Sequence, residues 1–208
     1  MRTNYRLWWH DTVRFAQHNY RLLLLVCVYF AGVAVGVHLF SVENTTLYAQ
    51  LHRMLENLHT VGSFSVALSE LAVSCTLPLL LLLVLGLSGL SVCGIPVSLF
   101  AIVLYGVSTG LTEAYIYSAG PTGIAVTVLL LLPRTVVSCI ALVIFAAESL
   151  RMSALFGQQV LPSGGSGALW ADFKLYGLRF LLCILLVIVS GLLDIGCRLL
   201  FGGLTAQL

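Results

Sequence analysis

Hydrophobic residues fall along this chain in five long blocks, residues 22–40, 71–87, 95–117, 124–147 and 178–201, separated by shorter polar stretches. Hydrocarbon about 30 Å thick takes roughly 20 apolar residues per helical crossing, so each block has the length of a transmembrane helix. A transmembrane β-barrel would instead show short alternating segments. The pattern predicts an all-α integral membrane protein: a bundle of five transmembrane helices forming one domain over residues 22–208. Between residues 41 and 70 a weaker stripe recurs at steps of four and three, Leu47, Leu51, Met54, Leu58 and Val61, which predicts an external amphipathic helix. Its polar side carries His52, Arg53, Glu56 and His59, the expected surface for an outside partner.

Composition removes the alternatives. With 60% hydrophobic and 9% charged residues, the chain is far from the quarter charged that soluble domains carry. The placement of charge says more than its net value of +2. Arg2, Arg6, Arg14 and Arg21 precede the first block, and Arg151, Lys174 and Arg179 lie around the linker 148–177, whereas residues 41–70 hold Arg53 against Glu43, Glu56 and Glu70. The positive-inside rule then puts the N-terminus and the linker in the cytoplasm, and residues 41–70 and the C-terminus outside the cell membrane. Residues 1–21, which mix four arginines with Tyr5, Trp8, Trp9, Phe15 and Tyr20, read as a cytoplasmic interfacial helix. The first block is too long for a signal peptide's apolar core and lacks a small-x-small cleavage site, so it is expected to be retained.

Glycine and proline punctuate the blocks. Gly86–Pro96 predicts a turn on the cytoplasmic side, Ser118–Gly123 a tight external turn, and Pro162–Gly167 a flexible linker. Gly32-x-x-x-Gly36 and Gly106-x-x-x-Gly110 are small-residue ridges that let backbones approach closely in lipid. They serve either packing within the bundle, the favoured reading, or docking of a partner helix or second copy. Pro133 predicts a kink in the fourth span. Arg134 follows it near the middle of that span, at a cost of roughly 2.5–3.5 kcal/mol on insertion scales unless paired or hydrated. Glu113 and Asp194 are its candidate partners, although Asp194 has Arg198 one turn along its own helix.

No catalytic, metal, cofactor or nucleic-acid constellation is found. Cys27, Cys75, Cys93, Cys139, Cys183 and Cys197 stand singly and read as small apolar fillers. Gly86-Leu-Ser88-Gly89 imitates the serine motif of rhomboid proteases, but no histidine lies in a span at the depth of Ser88. His52, Glu56 and His59 on one helical face read as an ordinary polar surface.

From Arg21 to Arg151 the chain resembles the stage II sporulation protein M family. The resemblance rests on Gly32-Val-Ala-Val-Gly36, Leu85-Gly-Leu-Ser88, Gly94-Ile-Pro96, Tyr105-Gly106, Gly110-Leu-Thr112, Gly123 and Leu132-Pro-Arg-Thr135. Family members often carry a basic residue in place of Tyr105, and His or Gln followed by Asn in place of Arg134-Thr135. The resemblance implies a five-span, non-enzymatic anchor in the membrane of endospore-forming bacteria. Such an anchor recruits the peptidoglycan-degrading stage II sporulation proteins D and P during engulfment of the forespore. The alternative expectation is a transporter or permease subunit, with Glu113, Arg134 and Asp194 lining a polar path at the broken fourth helix.

Overall fold

The structure, a computed structural model, describes residues 20–41, 64–91, 94–118, 120, 124, 127–159 and 169–205. Among them every element is helical: α1 (Tyr20–Ser41), α2 (Phe64–Ser88), α3 (Gly94–Tyr117), a π-helical segment (Thr127–Leu131), α4 (Leu132–Gln159) and α5 (Leu169–Thr205). Four helices are long and apolar enough to cross a membrane: Tyr20–Ser41, Gly94–Tyr117, Leu132–Gly157 and Asp172–Cys197. The expected second span lies on α2, whose apolar portion is the shorter Ser74–Ser88. The expected N-terminal and external helices, with His52, Arg53, Glu56 and His59, fall outside the described residues.

The helices alternate in direction. Gly32 packs on Val103 and Gly106 while Gly36 packs on Val107 and Leu111, so α1 and α3 run parallel. Hydrogen bonds link Ser138 to Ser190 near one end of the α4–α5 pair and Arg151 to Asp172 near the other, so those two are antiparallel. Arg134 meets Ser74 and Ser153 meets Ser91, so α2 and α4 are parallel. One end of the bundle therefore gathers Tyr20, Ser88, Gly94 and Gln159, and the other Ser41, Tyr117 and Leu132. We refer to them as the Gly94 end and the Tyr117 end.

Between the ends lies a closed apolar middle, with Leu25, Leu82, Leu85, Ile102, Leu142, Phe145 and Val187 essentially without exposed surface. Leu, Ile and Phe on the outward faces (Leu24, Phe30, Leu83, Phe100, Ile140, Leu181 and Leu185 among them) are exposed. In water such a surface would aggregate; for a bundle solvated by lipid it is the expected exterior.

Three sequence expectations change. The linker expected over 148–177 is shorter, because α4 continues to Gln159 and α5 begins at Leu169. The charged residues of these extensions pair across the two helices and so support their last turns. The fourth span is not one kinked α-helix but a π turn joined to α4. Pro133 is the second residue of α4, where its missing N–H is not needed, and the wider π turn relieves the clash of its ring with the carbonyl of Leu129. Cys27 is exposed rather than a buried filler, while Cys75 and Cys183 are buried. A turn after α3 forms around Gly120, whose φ of 83° suits glycine, with Gly120 N–H donating to the Tyr117 carbonyl at 3.1 Å.

Candidate functional site

The charged residues inside the bundle come together at its Tyr117 end. Arg134 Nη1 donates to Asp194 Oδ2 at 3.2 Å and Nη2 donates to the Ser74 carbonyl at 2.7 Å. Ser74 Oγ donates to the same Asp194 oxygen at 2.8 Å. Three helices, α2, α4 and α5, are thus tied by one guanidinium and one carboxylate. Asp194 is 2% exposed and Arg134 24% exposed. A carboxylate so enclosed is tolerable only when paired and hydrogen-bonded.

The Ser74 carbonyl is available for a reason that lies four residues away. Pro78 sits inside α2 and has no N–H, so it cannot make the i→i−4 bond that would occupy that carbonyl. Arg134 takes the vacated acceptor. Pro78 and Ser74 are the site residues that the sequence reading passes over, and an interior proline in an apolar helix is the signal that finds them.

Of the expected partners of Arg134, Asp194 pairs with it and Glu113 does not: among the described residues Glu113 has no ion pair. Arg198 lies on α5, but its side chain is outside the described set. Arg134 and Glu148 are fourteen residues apart on α4, roughly 21 Å at 1.5 Å per residue, and Arg134 and Arg151 roughly 25 Å, so the charges form two separate belts along the bundle.

A half-open cleft of about 100 Å³ adjoins Arg134, between α2, α3 and the start of α4. Tyr105, Ser108, Thr109, Thr112 and Thr135 face it with Arg134. One turn deeper, Ser190 Oγ donates to the Val187 carbonyl at 2.8 Å, so Ser138 must be the donor in the 2.7 Å Ser138–Ser190 bond between α4 and α5.

The opposite belt, at the Gly94 end, is built around the last turn of α2, where the Leu85 carbonyl already accepts from Gly89 N–H at 3.0 Å. Side chains from α4 and α5 add further donors. Tyr176 Oη donates to the Leu85 and Gly86 carbonyls at 3.2 and 3.0 Å, and Ser149 Oγ donates to Leu85 at 2.9 Å. Ser88 donates to the Leu85 carbonyl at 3.0 Å, which commits the hydroxyl of the rhomboid-like motif to its own helix. Around this cap Glu148 accepts from Arg179 and Arg151, and Arg151 reaches Asp172 at 3.0 Å. Trp170 stacks on Phe173 and lies under Lys174, an exposed aromatic and basic rim, whereas Tyr176 is buried.

The glycine ridges face each other. A Cβ on Gly32 would meet the Val103 carbonyl at 2.8 Å and Gly106 Cα at 3.2 Å; one on Gly106 would meet the Tyr29 carbonyl at 2.5 Å; Gly36 and Gly110 abut the Val107 and Val33 carbonyls. Both ridges are occupied by packing within this chain, so the partner-docking role also considered for Gly32, Gly36, Gly106 and Gly110 is not open to them in this structure. Among the described residues no three His, Cys, Asp or Glu side chains gather as a metal site. Comparison with protein-family models, curated proteins and solved structures finds no match to this chain.

Proposed function

We propose that the chain is a non-enzymatic, five-span membrane anchor of the stage II sporulation protein M type, which holds peptidoglycan-degrading partners (stage II sporulation proteins D and P) at the outer face during engulfment. The observation that carries this reading is the segregation of polar groups into two end belts around a closed apolar middle. A bundle so built is a rigid support. The permease alternative needs Glu113, Arg134 and Asp194 along a path, but Glu113 stands unpaired among the described residues and the other two close on each other.

Two further features support it. The residues that carry the family resemblance are fold-forming contacts here: Gly32 and Gly36 lie against α3, Gly106 and Gly110 against α1, Gly94 against Ser88 and Ser153, and Arg134 bridges to Asp194. Alternation of the helices also gathers Arg21, Arg151, Lys174 and Arg179 at the Gly94 end, as a cytoplasmic face requires.

Co-expression of the tagged chain with proteins D and P, followed by recovery from mild detergent, tests the anchor role. Both partners are expected to co-purify, and their absence from the recovered complex would refute it. Impermeant-thiol labelling of Glu56→Cys on intact cells, with Ser166→Cys labelled only after permeabilisation, is the expected topology; labelling of both from one side would overturn it.

A further inference from the structure

The donors and acceptors of the Arg134 cleft specify its occupant. Thr109 donates to the Tyr105 carbonyl at 2.8 Å, Thr112 to the Ser108 carbonyl at 2.9 Å and Thr135 to the Leu132 carbonyl at 3.1 Å. Their protons are spent, so the three oxygens act as acceptors: that of Thr109 takes the Tyr29 hydroxyl, and those of Thr112 and Thr135 offer lone pairs to the cleft. Arg134 presents the opposite need. Its two hydrogen bonds use Nη1 and Nη2, and its Nε–H has no partner among the described residues. Ser108 Oγ likewise has none among them.

A ligand that satisfies this lining must donate to the threonines and accept from the guanidinium at once. An anion meets lone pairs on Thr112 and Thr135, and a cation meets Arg134. The space of about 100 Å³ holds roughly three molecules at the ~30 Å³ that each water occupies in the liquid. We propose that this cleft is a water-binding site: a small hydrogen-bonded cluster, set into the lipid-facing bundle, that hydrates the quarter-exposed Arg134 from the Tyr117 end. It is a site distinct in purpose from the anchor function, because it would maintain a permanent charge within the apolar bundle.

Pulsed hydroxyl-radical footprinting of the full chain tests this, since radicals born from bound water oxidise the side chains beside it. In lipid nanodiscs, Tyr105, although 6% exposed, is expected to be modified about tenfold faster than Phe145, a fully buried aromatic in the dry middle. Thr112→Val and Thr135→Val, each removing one acceptor, are expected to slow Tyr105 modification at least about threefold while leaving exposed Trp170 unchanged. Equal rates for Tyr105 and Phe145 in the wild-type chain would overturn the proposal. Modification of Tyr105 in detergent but protection in nanodiscs would also overturn it, and would assign the cleft to lipid hydroxyl groups. The wild-type comparison stands even if a valine variant fails to fold.

Discussion

Replacing Arg134 and Asp194 with leucine, singly and together, gives the sharpest reading of the intramembrane bridge. Each single change removes at least two hydrogen bonds that involve an ion. Such bonds contribute about 1.5–3 kcal/mol in soluble proteins but average nearer 0.6, and at most about 1.7, between membrane helices. Taking about 1 kcal/mol per bond gives roughly 2 kcal/mol for either substitution. The two then diverge, because they strand different ions. Arg134→Leu leaves Asp194 enclosed at 2% exposure without the guanidinium from α4, so its cost rises above that of the lost bonds, towards ~3–5 kcal/mol. Asp194→Leu leaves a guanidinium at 24% exposure that can turn to the cleft, and its cost stays near 2–3 kcal/mol. The double variant loses the bonds but strands no charge, so it is expected to be no less stable than Arg134→Leu. The coupling energy should reach at least about 2 kcal/mol, roughly thirtyfold in the unfolding equilibrium. Equilibrium unfolding in mixed micelles or by steric trapping measures all four corners of the cycle. Strict additivity, with coupling below about 0.5 kcal/mol, would refute the bridge as described.

Glycine contacts divide into two classes with opposite outcomes. Gly106→Ala, whose Cβ would sit 2.5 Å from the Tyr29 carbonyl, is expected to cost about 1–3 kcal/mol, read as a loss of thermal stability in detergent. Gly177→Ala, which meets nothing within 4 Å in mid-helix, should be neutral or stabilising by up to about 1 kcal/mol by the same measurement. Tyr176→Phe removes the hydroxyl that caps Leu85 and Gly86, for an expected loss of about 0.5–1.5 kcal/mol in the same unfolding assay. Pro78→Ala supplies an N–H that competes for the Ser74 carbonyl, and should lower the cost of a subsequent Arg134→Leu change in a second cycle.

Much of the architecture was legible because lipid imposes a simple rule: apolar blocks of spanning length must be helices. The first and third blocks, 22–40 and 95–117, match α1 and α3 closely. The glycine ridges were legible as packing surfaces, since a backbone that approaches within contact of another needs glycine there. The far end of the fourth helix was less legible: the apolar block ends at residue 147, but α4 extends to Gln159, with Glu148 and Arg151 paired to residues on α5. Pairing within the site was hidden for a similar reason. The choice between Glu113 and Asp194 depends on which helix lies across from Arg134, and no local pattern encodes that.

Two prolines explain why the bridge forms where it does. Pro133 places a π turn immediately before Arg134, so α4 begins afresh there with Arg134 in its first turn. Pro78 leaves one carbonyl of α2 without its helical donor, and that carbonyl becomes one end of the bridge. In water either defect would be hydrated at little cost. In lipid an unsatisfied carbonyl costs several kcal/mol, so it recruits whatever donor is near, and a guanidinium can serve a carbonyl and a carboxylate together. The cost of burying Arg134 and the cost of exposing the Ser74 carbonyl therefore offset one another. Neither residue's presence in an apolar helix is explicable alone, and together they fix the register of α2 against α4 while Asp194 fixes that of α5.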